Sequence, residues 1–282
     1  MRKVKSGKYE SGGSVYGLNG LKNLLSRCYI GLIVLFLYAP ILVLIVLSFN
    51  QSRSRVTWGG FTLDWYGRLF SNQQIMDALV TTLVLAFLSA LIATVIGVLA
   101  ALGIHAMRQR NYQIMMIFTN IPILNADIVT GISLMLWFVH FIPLGFGSVL
   151  IAHITFNIPY VILSVMPKIR QMNVSLYEAA RDLGANAVYG FFRVILPQLT
   201  SGIVSGFFMA FTMSMDDFVI TYFTKGAGVN TLSTMIYGEI RKGIKPEMYA
   251  LSTIIFATMF IILLAVNYWP EKKTAVKEEQ RY

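Results

Sequence analysis

Three stretches of this chain contain no Asp, Glu, Lys or Arg: residues 28–52, 78–107 and 128–167. A helix needs about 20 mostly apolar residues to cross the hydrocarbon core of a bilayer. The first two stretches suffice for one crossing each. The third holds parts of two, joined near Pro143-Leu144-Gly145-Phe146-Gly147. Backbone surrounded by lipid must satisfy its own polar groups, so runs of this kind fold as helices. Composition agrees: 13% of the 282 residues are charged, against about 25% in a soluble domain.

The pattern predicts an all-α membrane protein with six transmembrane helices, near residues 28–49, 79–106, 113–141, 147–167, 198–223 and 248–269. Pro40, Pro122 and Pro159 fall inside spans and are expected to kink them. The first run follows a basic segment and has no small-x-small cleavage site at its end, so it reads as an uncleaved span. The organisation is then a basic tail over 1–27, a transmembrane domain over 28–269, and a mixed-charge, disordered tail over 270–282.

The net charge of +10 invites a nucleic-acid reading. Placing the charges removes it, because they flank membrane spans and do not cluster with aromatics on a soluble face. They set orientation instead. With the N-terminus in the cytoplasm, 16 of the 23 lysines and arginines fall inside. Both termini are therefore expected in the cytoplasm of a multi-pass protein of the cell membrane, as is the loop over 168–197. Outside, Leu232, Met235, Ile236 and Ile240 are spaced as one face of a helix, lying on the outer mouth of the bundle or on lipid. The single cysteine, Cys28, permits no internal disulfide. His105, His140 and His153 are too scattered for a metal set.

The cytoplasmic loop contains YEAARDLGANAVYGFFRVILP from Tyr177 to Pro197. Ser175-Leu176-Tyr177-Glu178 fits a capping box, so a short helix should begin after Ser175. Gly184 suits its end. Leu176, Ala179, Ala180 and Leu183 share one face, kept low by the alanines. A second helix can begin after Asn186, and Pro197 suits the first turn of the fifth span. A helix this short is marginal alone in water and must pack on something, either its own bundle or a cytoplasmic partner.

Glu178-Ala179-Ala180, Gly184 four residues on, and Val194-Ile195-Leu196-Pro197 after nine more resemble the EAA loop of permease subunits in ATP-binding-cassette importers. Valine at 194 in place of isoleucine is the one departure. The resemblance implies a type I importer permease bundle with a cytoplasmic coupling helix, in which Glu178, Ala179, Ala180, Leu183 and Gly184 engage an ATPase subunit. It implies a homologous B-type permease, two ATPase subunits and an external solute-binding protein as partners, beside membrane lipid. It also implies alternating access, with ATP and Mg bound by the partner ATPase and no cofactor in this chain. No G-x-x-x-x-G-K-[ST] phosphate loop occurs here, so the chain is not expected to be an enzyme.

Further segments are similar to the C-type permeases of spermidine/putrescine importers: Pro40, Ser48-Phe49-Asn50, Asp127-Ile128-Val129, His153-Ile154-Thr155-Phe156, Ser214-Met215-Asp216-Asp217 and Lys245-Pro246-Glu247. The family has a proline just before the aspartate where this chain has Ala126. The resemblance implies a polyamine as solute. Asp127, Asp216 and Asp217 lie inside expected spans, where ionisable groups face a bundle interior or water. Polyamine amines, with a pKa of roughly 10, arrive charged. The three carboxylates are therefore candidates for the solute path. The other reading makes Asp127 the cap of a broken helix. Asp216 and Asp217, about 100° apart on a helix, cannot both face a central path. Trp137, Tyr222 and Phe223 can offer cation–π faces or sit in lipid. Two rival functions use the same aspartates: an ion-coupled secondary transporter of a cationic solute, and an intramembrane aspartyl protease, which adjacent, diverging side chains make difficult.

Overall fold

The computed structural model describes residues 14–54, 56–243 and 245–268; the tail expected over 270–282 and the start of the basic tail lie outside them. Among the described residues the chain is helical apart from short connections and one antiparallel bridge between Asn50 and Phe61. It divides into two compact units. One comprises the chain up to Arg68 with Lys245–Leu264, and the other contains Leu69–Ile244.

In the first unit, α1 (Ser14–Ser48) runs without interruption through Pro40. Its start at Ser14 lies well before the expected membrane entry at residue 28. Most side chains along Ser26–Ser48 are exposed, an apolar surface suited to lipid. The loop that follows is built around the buried Asn50. Its Oδ1 accepts from the amides of Ser52 (3.1 Å) and Gly59 (2.9 Å), and its Nδ2 donates to the Thr57 carbonyl (2.9 Å). Trp65 Nε1, on α2 (Asp64–Ser71), donates to the Asn50 carbonyl at 2.8 Å. One asparagine thus satisfies a turn that has no ladder of its own.

The second unit is built on three long helices. The first, α3 (Gln73–His105), is capped by Asn72, whose side chain accepts from the amides of Gln74 and Ile75. Next come α4 (Gln109–Leu124) and α5 (Asp127–Phe141), bent 101° from each other. Then follow α6 (Phe146–Gln171), α7 (Val174–Asp182) and α8 (Ala187–Gly190), a π-helical turn at Phe191–Ile195, and α9 (Leu196–Asp216). Two shorter helices follow, α10 (Val219–Thr224) and α11 (Leu232–Lys242). The last helix, α12 (Pro246–Tyr268), returns to the first unit for most of its length.

Helices α3, α6 and α9 bury a common core that includes Ala90, Val98, Val161, Val165, Leu199 and Ala210. Small residues allow the close fit. A methyl placed on Gly97 of α3 would come within 2.7 Å of Val161 Cγ1, and one on Gly206 of α9 would come within 3.3 Å of the same atom. Lipid offers helices no hydrophobic reason to associate, so the small-x-x-x-small series Gly202, Gly206, Ala210 supplies contact area that long side chains would deny. The π-helical turn precedes Pro197. Proline has no amide hydrogen and crowds the carbonyl four residues back, and the Leu196 amide reaches instead to the Phe191 carbonyl.

The expected spans meet two corrections. The third, expected as one helix over 113–141, is broken at Asn125-Ala126 into α4 and α5. The fifth, expected over 198–223, ends at Asp216 and restarts as α10. Among the described residues four helices are long and apolar enough to cross a membrane: Ser26–Ser48, Gln73–His105, Phe146–Gln171 and Ala187–Asp216. The α4–α5 pair makes a fifth if it counts as one broken span. The residues of the expected sixth form α12, with Glu247 in its first turn.

Candidate solute path and coupling loop

Both helix breaks fall at aspartates. Asp127 is the first residue of α5, following Ala126 in extended conformation. A carboxylate there is favoured by the partial positive charge of the helix start. The 101° bend puts Asp127 at a turn of the chain and not along one straight span. Its side chain is exposed. One turn further on, Gly131 lies against Val219 and Ile220 of α10, so the start of α5 packs beside the second break.

At that break, neighbouring carboxylates have different surroundings. Asp216 ends α9 with an exposed side chain. Asp217 is extended (φ −64°, ψ 127°), with its side chain only 9% exposed. Its Oδ1 accepts from the Ile220 amide (3.2 Å), and its Oδ2 accepts from the Thr221 amide and hydroxyl (both 2.8 Å). These bonds satisfy the free amides at the start of α10, which is why the helix can restart there. The Asp217 carbonyl in turn accepts from Ser233 of α11 at 2.6 Å. Among the described residues neither Asp127 nor Asp216 makes a hydrogen bond or ion pair, and Lys225, the nearest following lysine, donates to Asn230 Oδ1 (3.1 Å).

Behind Asp217 stands a side chain from a segment of the family resemblance, to which sequence reasoning assigned no role beyond a rejected metal set. His153 of α6 is fully buried. Its Nε2 lies 2.9 Å from Thr221 Oγ1 and 3.4 Å from Asp217 Oδ2, and its Nδ1 lies 2.6 Å from Ser214 Oγ. Ser214 Oγ continues to Ser89 Oγ on α3 at 2.9 Å. This polar chain crosses four helices inside an apolar core. The signal for it was a histidine within a long uncharged run, where both ring nitrogens demand partners when buried. No group of residues suited to a metal occurs among the described residues, and His140 bonds only to the Leu136 carbonyl within its own helix.

The aromatic candidates separate. Trp137 is exposed and packs on Phe138 and Phe141 of its own helix. Tyr222 packs tilted or edge-on against Phe218 (5.4 Å), Phe223 (5.5 Å) and Tyr237 of α11 (6.2 Å), just beyond the second break. Leu232 of α11 is buried, and its amide donates to Thr82 Oγ1 of α3 at 2.8 Å, so this helix starts against the bundle.

The coupling loop keeps its expected second helix and corrects the start of its first. Helix α7 begins at Val174, capped by Asn173, whose Oδ1 accepts from the Ser175 amide at 3.1 Å. Asparagine ranks with the best N-caps, and here it starts the helix two residues ahead of the expected serine. At the other end Gly184 has φ +88°. Its amide donates to the Arg181 carbonyl and the Ala185 amide to the Ala180 carbonyl, both at 3.0 Å. That bond pair is a Schellman ending, which requires the left-handed conformation that glycine adopts freely. Asn186 then caps α8 by accepting from the Tyr189 amide at 2.7 Å. The ring of Tyr177 packs on Gly190, fixing α7 against α8. No residue of α7 is buried, and Leu183 is 90% exposed. Ala180, Leu183, Gly184, Ala185, Asn186 and Tyr189 line a shallow open hollow on this knuckle.

These features define a multi-pass membrane protein with a helical knuckle exposed at one end of its bundle. Residues 93–276 match the family described as the binding-protein-dependent transport system inner membrane component, and the chain belongs to that family. The spermidine/putrescine transport system permease protein PotC of Haemophilus influenzae is 35% identical over 243 residues, covering 86% of this chain and 93% of its own. The putrescine transport system permease protein PotI of Escherichia coli is 36% identical over 235 residues, covering 80% and 84%. In fold, the chain is similar to one in the crystal structure of a bacterial ABC transporter involved in the import of the acidic polysaccharide alginate. There the TM-score is 0.66 at 18% identity, with 90% of this chain and 96% of the other covered. The fold is that of ABC importer permeases.

Proposed function

We propose that this chain is the permease subunit of an ATP-driven importer of polyamines, with both termini and the α7 knuckle in the cytoplasm. The carrying observation is that knuckle: a helix capped at both ends, with no buried residue, projecting from a membrane bundle. A nine-residue helix is too short to persist alone. Its caps preform it, and its alanine face leaves room for a receiving surface. Glu178, Ala179, Ala180, Leu183 and Gly184 form the contact with a separate ATPase subunit, which binds ATP and Mg. Two such ATPases, a homologous B-type permease and an external binding protein complete the importer. The exposed carboxylates of Asp127 and Asp216 make the path attractive to cationic amines, and relatives carrying spermidine and putrescine in their names support that solute class. This chain performs no covalent chemistry. Closure of the ATPases moves α7 and, through α8 and the π-helical turn, rocks α9 to open the path alternately to each side.

The test is uptake of labelled spermidine into proteoliposomes holding the assembled importer. Uptake should need ATP on the ATPase side and persist when proton and sodium gradients are collapsed. Uptake that ignores ATP and fails with the gradient would establish the secondary-transporter reading.

A further inference from the structure

We infer that His153 is a positioning residue: it holds Asp217 turned into the bundle, so that of the two adjacent carboxylates Asp216 alone faces the open side. Three observations meet here. First, His153 is fully buried, with the ring of Phe156 edge-on at 5.3 Å, so the imidazole has little freedom to turn. Second, its two nitrogens reach opposite sides of one helix break. Nδ1 meets Ser214, two residues before Asp216, and Nε2 meets Thr221 and Asp217 beyond it. A single side chain of α6 therefore fixes the end of α9 and the start of α10 together. Third, Asp217 is committed on both oxygens while Asp216 has no partner among the described residues.

The break explains how neighbours in sequence come to differ. Were α9 to continue as a helix through Asp217, the two side chains would diverge by about 100° around one cylinder. The extended Asp217 backbone and the tie to His153 break that cylinder and give the two residues separate tasks. Asp217 becomes part of the scaffold. Asp216 keeps its unpaired charge for a cationic group. Ser89 extends the tie to α3, so the orientation of Asp216 is referred to the core on which the bundle is built. A buried polar group without its partner costs about 1–3 kcal/mol. Loss of His153 takes the imidazole partner from the buried Ser214 and Thr221 hydroxyls on both sides of the break and leaves Asp217 held by the start of α10 alone, so its release is the expected result.

This rests on the reading that the carboxylates serve a cationic solute, and the experiment separates the two. Carboxyl groups of the assembled importer are modified with a water-soluble carbodiimide and an amine, and sites are read by mass spectrometry. In the wild-type complex Asp216 should be modified and Asp217 protected. In His153→Leu, Asp217 should become reactive and spermidine uptake should fall about tenfold at unchanged yield of complex. His153→Gln, which can bond Ser214 and Asp217 at once, should largely restore both. His153→Met serves the same comparison if the leucine variant does not assemble. The inference is overturned if wild-type Asp217 reacts as readily as Asp216. It is equally overturned if the apolar variants keep Asp217 protected, whether uptake is normal or falls only in step with the amount of complex. A wild-type complex that carries no polyamine contradicts the proposed solute, while the labelling pattern still decides what His153 does.

Discussion

Gly206 of α9 faces Val161 of α6 so closely that a methyl group on the glycine would stand 3.3 Å from the valine Cγ1. The same valine meets Gly97 of α3 from another side, at 2.7 Å for a methyl built there. One branched side chain thus sits at the junction of the three helices that form the core.

That junction predicts a suppressor. Gly97→Ala should destabilise the purified chain by about 1–3 kcal/mol, the usual cost of overpacking a well-filled core. Adding Val161→Ala should recover most of the loss by vacating the contested space. Thermal unfolding in detergent measures both; additive losses would show that the two positions do not compete.

The cap of α7 offers a second comparison. Asn173→Ala should loosen the helix by about 1 kcal/mol, whereas Ser175→Ala should change little, since the serine lies inside the helix. Amide hydrogen exchange over residues 174–183 reports the difference. Greater exchange in the serine variant would restore the capping box that the sequence suggests.

What the sequence disclosed and what it withheld have physical causes. Uncharged runs of 25 residues or more disclosed α1, α3 and α6, because lipid leaves a helix as the only solution there. Gly184 disclosed the end of α7 because few residues other than glycine adopt its φ. The break at Asp217 was hidden, since no proline or glycine marks it. It arises from side-chain bonds to Ile220 and Thr221, beside which α6 places His153. The bend at Asn125-Ala126 was half disclosed: reading Asp127 as the cap of a broken helix anticipated it, although Pro122 lies inside α4 and the helix runs past it for two more residues. Of the three carboxylates, the sequence showed that Asp216 and Asp217 could not act alike. Which of them is bound inward was set by the bonds that Asp217 makes to Ile220 and Thr221 across the break, visible only once the chain is folded.

Gly184→Val should leave the chain inserted and the complex assembled, yet lower solute-stimulated ATP hydrolysis. A residue with a side chain pays roughly 1–2 kcal/mol in the left-handed region, and a β-branched one fits it worst, so the knuckle would fray at its exit. Stimulated hydrolysis at the wild-type rate would remove the Gly184 turn from the coupling path.

Asp216→Asn and Asp127→Asn should each reduce spermidine uptake without lowering the amount of complex, because neither carboxylate is bonded within the described part of the chain. Asp217→Asn should cost stability as well, through the start of α10. Uptake at normal levels in the first two variants would leave those carboxylates without a role in the path.

The most direct measurement concerns the knuckle itself. With Cys28→Ser removing the one native thiol, Leu183→Cys carries a thiol-anchored photo-crosslinker in the assembled importer. The expected result is a single adduct with the ATPase subunit, formed on the cytoplasmic side and weakened when nucleotide changes the ATPase closure. An adduct with the external binding protein, or labelling of Leu183→Cys by impermeant reagents from outside the cell, would contradict it.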